Sequence, residues 1–156
     1  MANVLVDTSV WVDFFRGTPS TAAASLDQLL EEKRVVICGT VELELLQGAK
    51  AGEKAMLEDL LTALPYVESQ RVDFQTAGEL LNGLRVKGFQ IPASDGLIAA
   101  LCARHQLSVL TLDKHFDYFH HIKKKSLADD FRKPPRAVLW EIPELLWFLF
   151  PVRFRA

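Results

Sequence analysis

The sequence predicts an α/β domain, a central and mostly parallel sheet flanked by helices on both faces. Three observations carry this. Short apolar runs rich in β-branched residues recur along the chain: Val4-Leu5-Val6, Val35-Val36-Ile37-Cys38 and Leu107-Ser108-Val109-Leu110-Thr111. Strands of that kind, without polar alternation, belong to sheets covered on both sides. Longer segments with helical character separate the runs. Finally, 49% of the 156 residues are hydrophobic and ten are Phe, which suits one compact domain with its own core and excludes a disordered chain.

The elements follow in order. Residues 3–6 form the first strand, which stops at Asp7-Thr8-Ser9, three helix-capping residue types. Val10-Trp11-Val12 and Phe14-Phe15 continue as an apolar helix, with Trp11 expected in the core or at a dimer interface. Thr18-Pro19-Ser20 breaks it, and a second helix over 20–33 carries Leu26, Leu29 and Leu30. Residues 35–38 are the second strand. Thr40 caps a helix that runs to Gly48, and another covers 53–64. Tyr66-Val67-Glu68 is a brief strand, and residues 74–86 are helical despite Gly78 and Gly83. After Ile91-Pro92, Ser94 or Asp95 opens a helix ending near His105, beside the helix dipole. Residues 107–111 are the third buried strand, and 113–119 form a last short helix. Residues 1–128 make one domain, and 129–156 a basic and apolar helical extension.

Charge is unevenly spread. The net charge is −2, too close to neutral for binding nucleic acid by bulk charge. Yet residues 1–120 hold sixteen acidic and ten basic side chains, and residues 121–156 hold four acidic and eight basic. The two cysteines, Cys38 and Cys102, lie in apolar runs without metal-binding spacing and are expected as buried free thiols. Asp7 interrupts the first apolar run, so no signal peptide is expected and the predicted location is cytoplasmic.

Four acids stand out by position. In open α/β sheets, ligands bind beyond the carboxyl ends of the strands. Asp7 follows the first strand, Asp113 follows the third buried strand, Asp95 opens the helix leading into it, and Glu44 lies in the helix after the second strand. Each has a purely structural explanation: Asp7 and Asp95 as caps, Asp113 as a turn residue, Glu44 as a solvated helix position. But Asp95 shares a face with Ile98, Ala99 and Cys102, and Glu44 leans toward Val41 and Leu45, where an acid needs a partner. Two carboxylates about 4 Å apart repel by about 4 kcal/mol at an effective dielectric near 20. A divalent cation relieves that repulsion, and a donor set of oxygens alone suits Mg²⁺ or Mn²⁺.

The same residues carry a resemblance. Val4-Leu5-Val6-Asp7-Thr8-Ser9-Val10-Trp11, Glu44-Leu45-Leu46-Gln47-Gly48, Ser94-Asp95-Gly96-Leu97-Ile98-Ala99-Ala100 and Leu110-Thr111-Leu112-Asp113-Lys114-His115-Phe116 together resemble the PIN-domain ribonucleases of the VapC toxin type. The four motifs occur in the family's order. The resemblance implies an endoribonuclease whose Asp7, Glu44, Asp95 and Asp113 hold one or two Mg²⁺ or Mn²⁺ ions, with Ser9 or Thr111 orienting a carboxylate or a water beside them. Glu42 competes with Glu44, preferred because Gly48 follows it at the family's distance, and Asp117 is a possible additional ligand. No histidine matches a catalytic position of the family. RNA as substrate, products with 5′-phosphate and 3′-hydroxyl ends, a homodimer and a VapB-type antitoxin partner are further implications.

Arg16, Lys50, Arg85, Lys87 and Lys114 are candidates for RNA phosphate contacts, though solvated faces explain most of them. The apolar run over 139–150 is too short to span a membrane. Rival readings are a PIN nuclease that matures RNA without being a toxin, and a PIN-like binding module without catalysis. A phosphoacceptor receiver domain is disfavoured, because only Asp7 stands at the first strand end.

Overall fold

The computed structural model describes residues 3–17, 19–119 and 123–124. The extension over 129–156, with His120 and His121, lies outside the described residues. The elements run β1 (Val4–Val6), α1 (Thr8–Phe15), α2 (Thr21–Glu31), β2 (Val35–Cys38), α3 (Gly39–Gly48), α4 (Lys54–Thr62), β3 (Tyr66–Val67), α5 (Arg71–Val86), α6 (Ala93–His105), β4 (Ser108–Leu110), a 3-10 turn (Lys114–Tyr118) and β5 (Lys123–Lys124).

The strands form one sheet of order β3-β2-β1-β4-β5, parallel at every pairing. β1 is central: Val4 lies opposite Val35 on one side and Ser108 on the other. Both β1 and β2 are buried along their whole length, as strands covered on both faces must be. The chain steps from β1 to β2 on one side and returns to β4 on the other. The crevice between β1 and β4, at their carboxyl ends, is therefore the topological switch point where sheets of this kind bind ligands.

Most boundaries differ from expectation by a few residues, for identifiable reasons. α1 starts at Thr8 because Asp7 is its N-cap. α5 starts at Arg71 rather than Phe74, because the Asp73 carboxylate accepts the Gln70 backbone N–H at 2.7 Å and closes the first turn. α6 starts at Ala93, immediately after Pro92, so Asp95 sits inside its first turn and does not cap it. Gln106, at φ 54°, takes the left-handed conformation usually left to Gly. It turns the chain from α6 into β4 within two residues. The edge strand β5 was not expected, since Lys123 and Lys124 carry no apolar pattern.

The core joins the two sides. Trp11 is fully buried, stacks on Phe15 at 5.7 Å between ring centroids, and meets Phe14 edge-on. Cys38 and Cys102 are buried and unpaired, and burial pushes the Cys102 thiol up to about 12. Gly96 lets α5 come close to α6: a Cβ there would lie 2.6 Å from Cγ of Leu81. Among the described residues no helix is long and apolar enough to cross a membrane.

One ion pair fastens α5 to α6. The Arg104 guanidinium donates to both oxygens of Asp73, at 2.6 and 2.8 Å, and to the Glu68 carbonyl. Burial alone would raise the Asp73 carboxyl, but the Arg104 bonds and the Gln70 N–H outweigh it and hold it below its ordinary value. Lowered in the folded state, Asp73 stabilises the protein above the ordinary carboxylate value, and that stability fades as pH falls through its lowered one. Arg104→Ala should therefore lower the urea midpoint strongly at pH 7 and by progressively less as the pH is taken below the ordinary carboxylate value. An equal loss across that range would contradict the pairing.

Candidate metal centre

β1 ends at Val6, and the next side chain, Asp7, is nearly buried. Three hydrogen bonds fall on one of its oxygens. The Ser9 hydroxyl donates to Oδ2 at 2.5 Å, the Ser9 backbone N–H at 3.4 Å and the Thr111 hydroxyl at 2.9 Å. The other oxygen, Oδ1, is free of these bonds. Thr111 is buried just beyond β4, and its hydroxyl oxygen also accepts the Asp113 N–H at 2.9 Å. The Ser9 oxygen likewise accepts the Leu112 N–H at 3.1 Å. Thus the ends of β1 and β4 are tied by the hydroxyls of Ser9 and Thr111, both of which donate to Asp7.

Asp113 caps the 3-10 turn, accepting the His115 backbone N–H at 2.9 Å. Asp95 enters from the first turn of α6 and is buried, while Ile98, Ala99 and Cys102 on its face pack into the core. Ligand atoms of Asp95, Asp113 and His115 all lie within 4.8 Å of one another. The His115 Nδ1 stands 3.1 Å from Asp95 Oδ2 and 3.2 Å from Asp113 Oδ1. Burial pushes the Asp95 carboxyl up, and the charges of Asp113 and Asp7 push it further; only His115 opposes them.

Glu44 is half-buried on α3, where the Thr8 hydroxyl donates to its Oε2 at 2.5 Å. Thr8 adjoins Asp7, so the start of α1 positions both acids. Glu42 instead places its charge near Tyr66, where it helps to raise the phenol behind the larger effect of burial. Asp117 is exposed on the 3-10 turn. The four acids singled out from the sequence thus fall into two parts. Asp95 and Asp113 are in direct apposition with Asp7 in electrostatic reach, whereas Glu44 is linked to Asp7 through Thr8.

Two residues escaped the sequence reading. His115 was given no role, yet it stands between two of the acids; the signal was its position two residues after Asp113, where a tight turn folds it back. Thr8 was read only as part of a capping run. Of the candidate RNA contacts, Arg16, Lys50, Arg85, Lys87 and Lys114 are all exposed, and Lys50 faces Glu53 at 3.9 Å.

Residues 4–122 match the family model of the PIN domain. The chain belongs to the PIN-domain family. Among curated proteins, Ribonuclease VapC11 of Mycobacterium tuberculosis is 35% identical over 130 residues, covering 80% of this chain and 97% of the relative. Ribonuclease VapC19 of the same species is 28% identical over 116 residues, covering 74% and 93%. These relatives make the chain a PIN-domain protein of the VapC type. Its fold is shared by VapBC2 of Rickettsia felis, solved bound to a promoter DNA fragment, at TM-score 0.65 and 20% identity over 78% of this chain and 96% of that one. FitAcB of Neisseria gonorrhoeae is similar at TM-score 0.61 and 23% identity, over 80% and 97%.

In this PIN domain Thr111 is the joint between the two strand ends. Thr111→Val should cost about 1–3 kcal/mol in chemical denaturation, because it leaves the Asp113 N–H without its partner and takes one of three hydrogen bonds from the Asp7 oxygen. A cost below about 0.5 kcal/mol would show that the hydroxyl is dispensable.

Proposed function

We propose that this PIN-domain protein is a metal-dependent endoribonuclease, the toxin of a VapBC-type toxin–antitoxin pair. The observation that carries the reading is the crowding of Asp7, Asp95 and Asp113 at the β1/β4 switch point, where the charges of Asp113 and Asp7 add to burial in raising the cost of ionising Asp95. Such a donor set fits a divalent cation, which neutralises the charges without protonating them. Asp95 and Asp113 would hold the ion directly, Asp7 through the oxygen that Ser9 and Thr111 leave open, and Glu44 from α3. Mg²⁺ or Mn²⁺ bound there supplies a Lewis acid that activates water and offsets charge on an attacked phosphate. Ser9, Thr111 and Thr8 fix the carboxylates so that little reorganisation is needed on binding. Water as nucleophile requires no 2′-hydroxyl, so the products end in 5′-phosphate and 3′-hydroxyl.

The likeness to toxin–antitoxin complexes supports an antitoxin partner, and a groove of about 450 Å³ offers it a seat. Val12, Phe15, Leu45, Met56, Leu57 and Leu60 line it, from α1, α3 and α4, and Glu44 belongs to the same lining. An amphipathic antitoxin segment laid there would reach the carboxylates, where a basic side chain takes the place of the ion. A homodimer and a cytoplasmic location complete the proposal, the latter fitting two unpaired, buried thiols.

Purified protein with Mg²⁺ or Mn²⁺ should cleave RNA, and Asp7→Asn or Asp95→Asn should abolish cleavage while circular dichroism stays unchanged. Full activity in EDTA, or in both variants, would sink the mechanism. Leu57→Lys, in the groove, should weaken capture by the antitoxin encoded beside the gene by about tenfold or more, for a buried apolar contact worth about 1.5–3 kcal/mol. RNA cleavage by that variant should persist; unaltered capture would place the antitoxin elsewhere.

A further inference from the structure

The sequence leads to an expectation of oxygen donors alone, and in the structure an imidazole nitrogen also stands among the carboxylates. We infer that His115 is itself a ligand of the bound ion and that it biases the site toward a first-row transition ion such as Mn²⁺ over Mg²⁺. This rests on the metal-dependent reading above and deepens it.

Geometry carries the inference. Two donors on adjacent corners of an octahedron, each about 2.1 Å from the ion, lie about 3.0 Å apart. His115 Nδ1 is 3.1 Å from Asp95 Oδ2 and 3.2 Å from Asp113 Oδ1, so each pair has the separation of such an edge. A ring nitrogen carries at most one hydrogen, which can point well at only one of two carboxylates. A cation satisfies both carboxylates and the nitrogen lone pair together. The ring is also held in place from its own backbone. The His115 N–H is bonded to Asp113 Oδ1, the same oxygen its ring faces, and the next residue, Phe116, is buried and anchors the turn. Asp117, two residues further on, is exposed.

Chemistry then sets the preference. Mg²⁺ is a hard ion that favours oxygen and keeps its waters, and it gains little from an imidazole. Transition ions bind nitrogen more readily, and an imidazole among carboxylates moves the balance toward them. The ring is itself half-exposed, so an ion held by it would be within reach of solvent and substrate.

The test uses the full chain and the metal alone. Mn²⁺ is titrated into wild type, His115→Gln and Asp95→Asn, with affinity from calorimetry and ligand identity from pulsed electron paramagnetic resonance. Wild type should show the ¹⁴N modulation of a coordinated imidazole. His115→Gln keeps a hydrogen-bond donor for the carboxylates but should lose that modulation. Its Mn²⁺ affinity should fall about tenfold or more, against a much smaller change for Mg²⁺. Bound Mn²⁺ without nitrogen coupling in wild type, or equal losses for the two ions in His115→Gln, would overturn the inference and leave the carboxylate site standing. Wild type that takes up no more Mn²⁺ than Asp95→Asn would overturn the metal reading and this inference with it.

Discussion

Thr111 donates its hydroxyl hydrogen to Asp7 across 104 residues of sequence, and the site rests on that bond. It forms only if β1 and β4 are adjacent, parallel and in register, so that both chains leave the sheet at the same end. The last rung of that pairing is the Asp7 N–H on the Leu110 carbonyl at 2.9 Å. Beyond it, ladder bonds give way to bonds through hydroxyls: Thr111 takes the Asp113 N–H, and Ser9 takes the Leu112 N–H. The sheet's hydrogen bonding is in effect extended past its end by two side chains, and the acids are carried on that extension. A register shift of one residue would turn Thr111 to the opposite face and dissolve the cluster.

Two aspartates near the α5–α6 pair show the difference between an acid that holds the fold and one that strains it. Asp73 is buried yet held low by a two-pronged Arg104 contact, so its ionised form favours folding. Asp95 is buried against Asp113 and Asp7, so folding disfavours its ionised form. The signs oppose: stability from Asp73 is lost as pH falls, whereas the contribution of Asp95 is lost as pH rises from the ordinary carboxylate value toward its raised one. A protein has no structural reason to keep the second arrangement. An ion that binds the folded state alone converts the penalty into binding free energy.

Much of the architecture was legible in the sequence, because parallel strands covered on both faces read as unbroken apolar runs. Val4-Leu5-Val6 and Val35-Val36-Ile37-Cys38 coincide with β1 and β2. Where the reading slipped, a local bond decided the boundary. The Gln70–Asp73 closure added a turn to α5, and a Gln in a left-handed conformation ended α6 where no Gly marks the stop. β5 was illegible because an edge strand of two lysines is specified by its neighbour β4. In the site, acids at strand ends could be found by position, since topology dictates where strands end. His115 could not be placed that way, because its approach to Asp95 depends on how tightly a five-residue turn winds after the sheet.

The placement of Glu44 connects the two proposed occupants of the surface. Its carboxylate accepts from Thr8, the residue next to Asp7, and its side chain also lines the apolar groove between α1, α3 and α4. A segment in the groove therefore lies against one of the acids proposed to bind the ion. Apolar burial along the groove would supply affinity, while a cation placed on the acids would supply inhibition, and neither requires the fold to move. The net charge of −2 agrees with this division. Such a chain does not attract RNA along its whole surface, so the proposed grip is local, at the acids and the ion proposed to bind them, where a small occupant would be enough to block it.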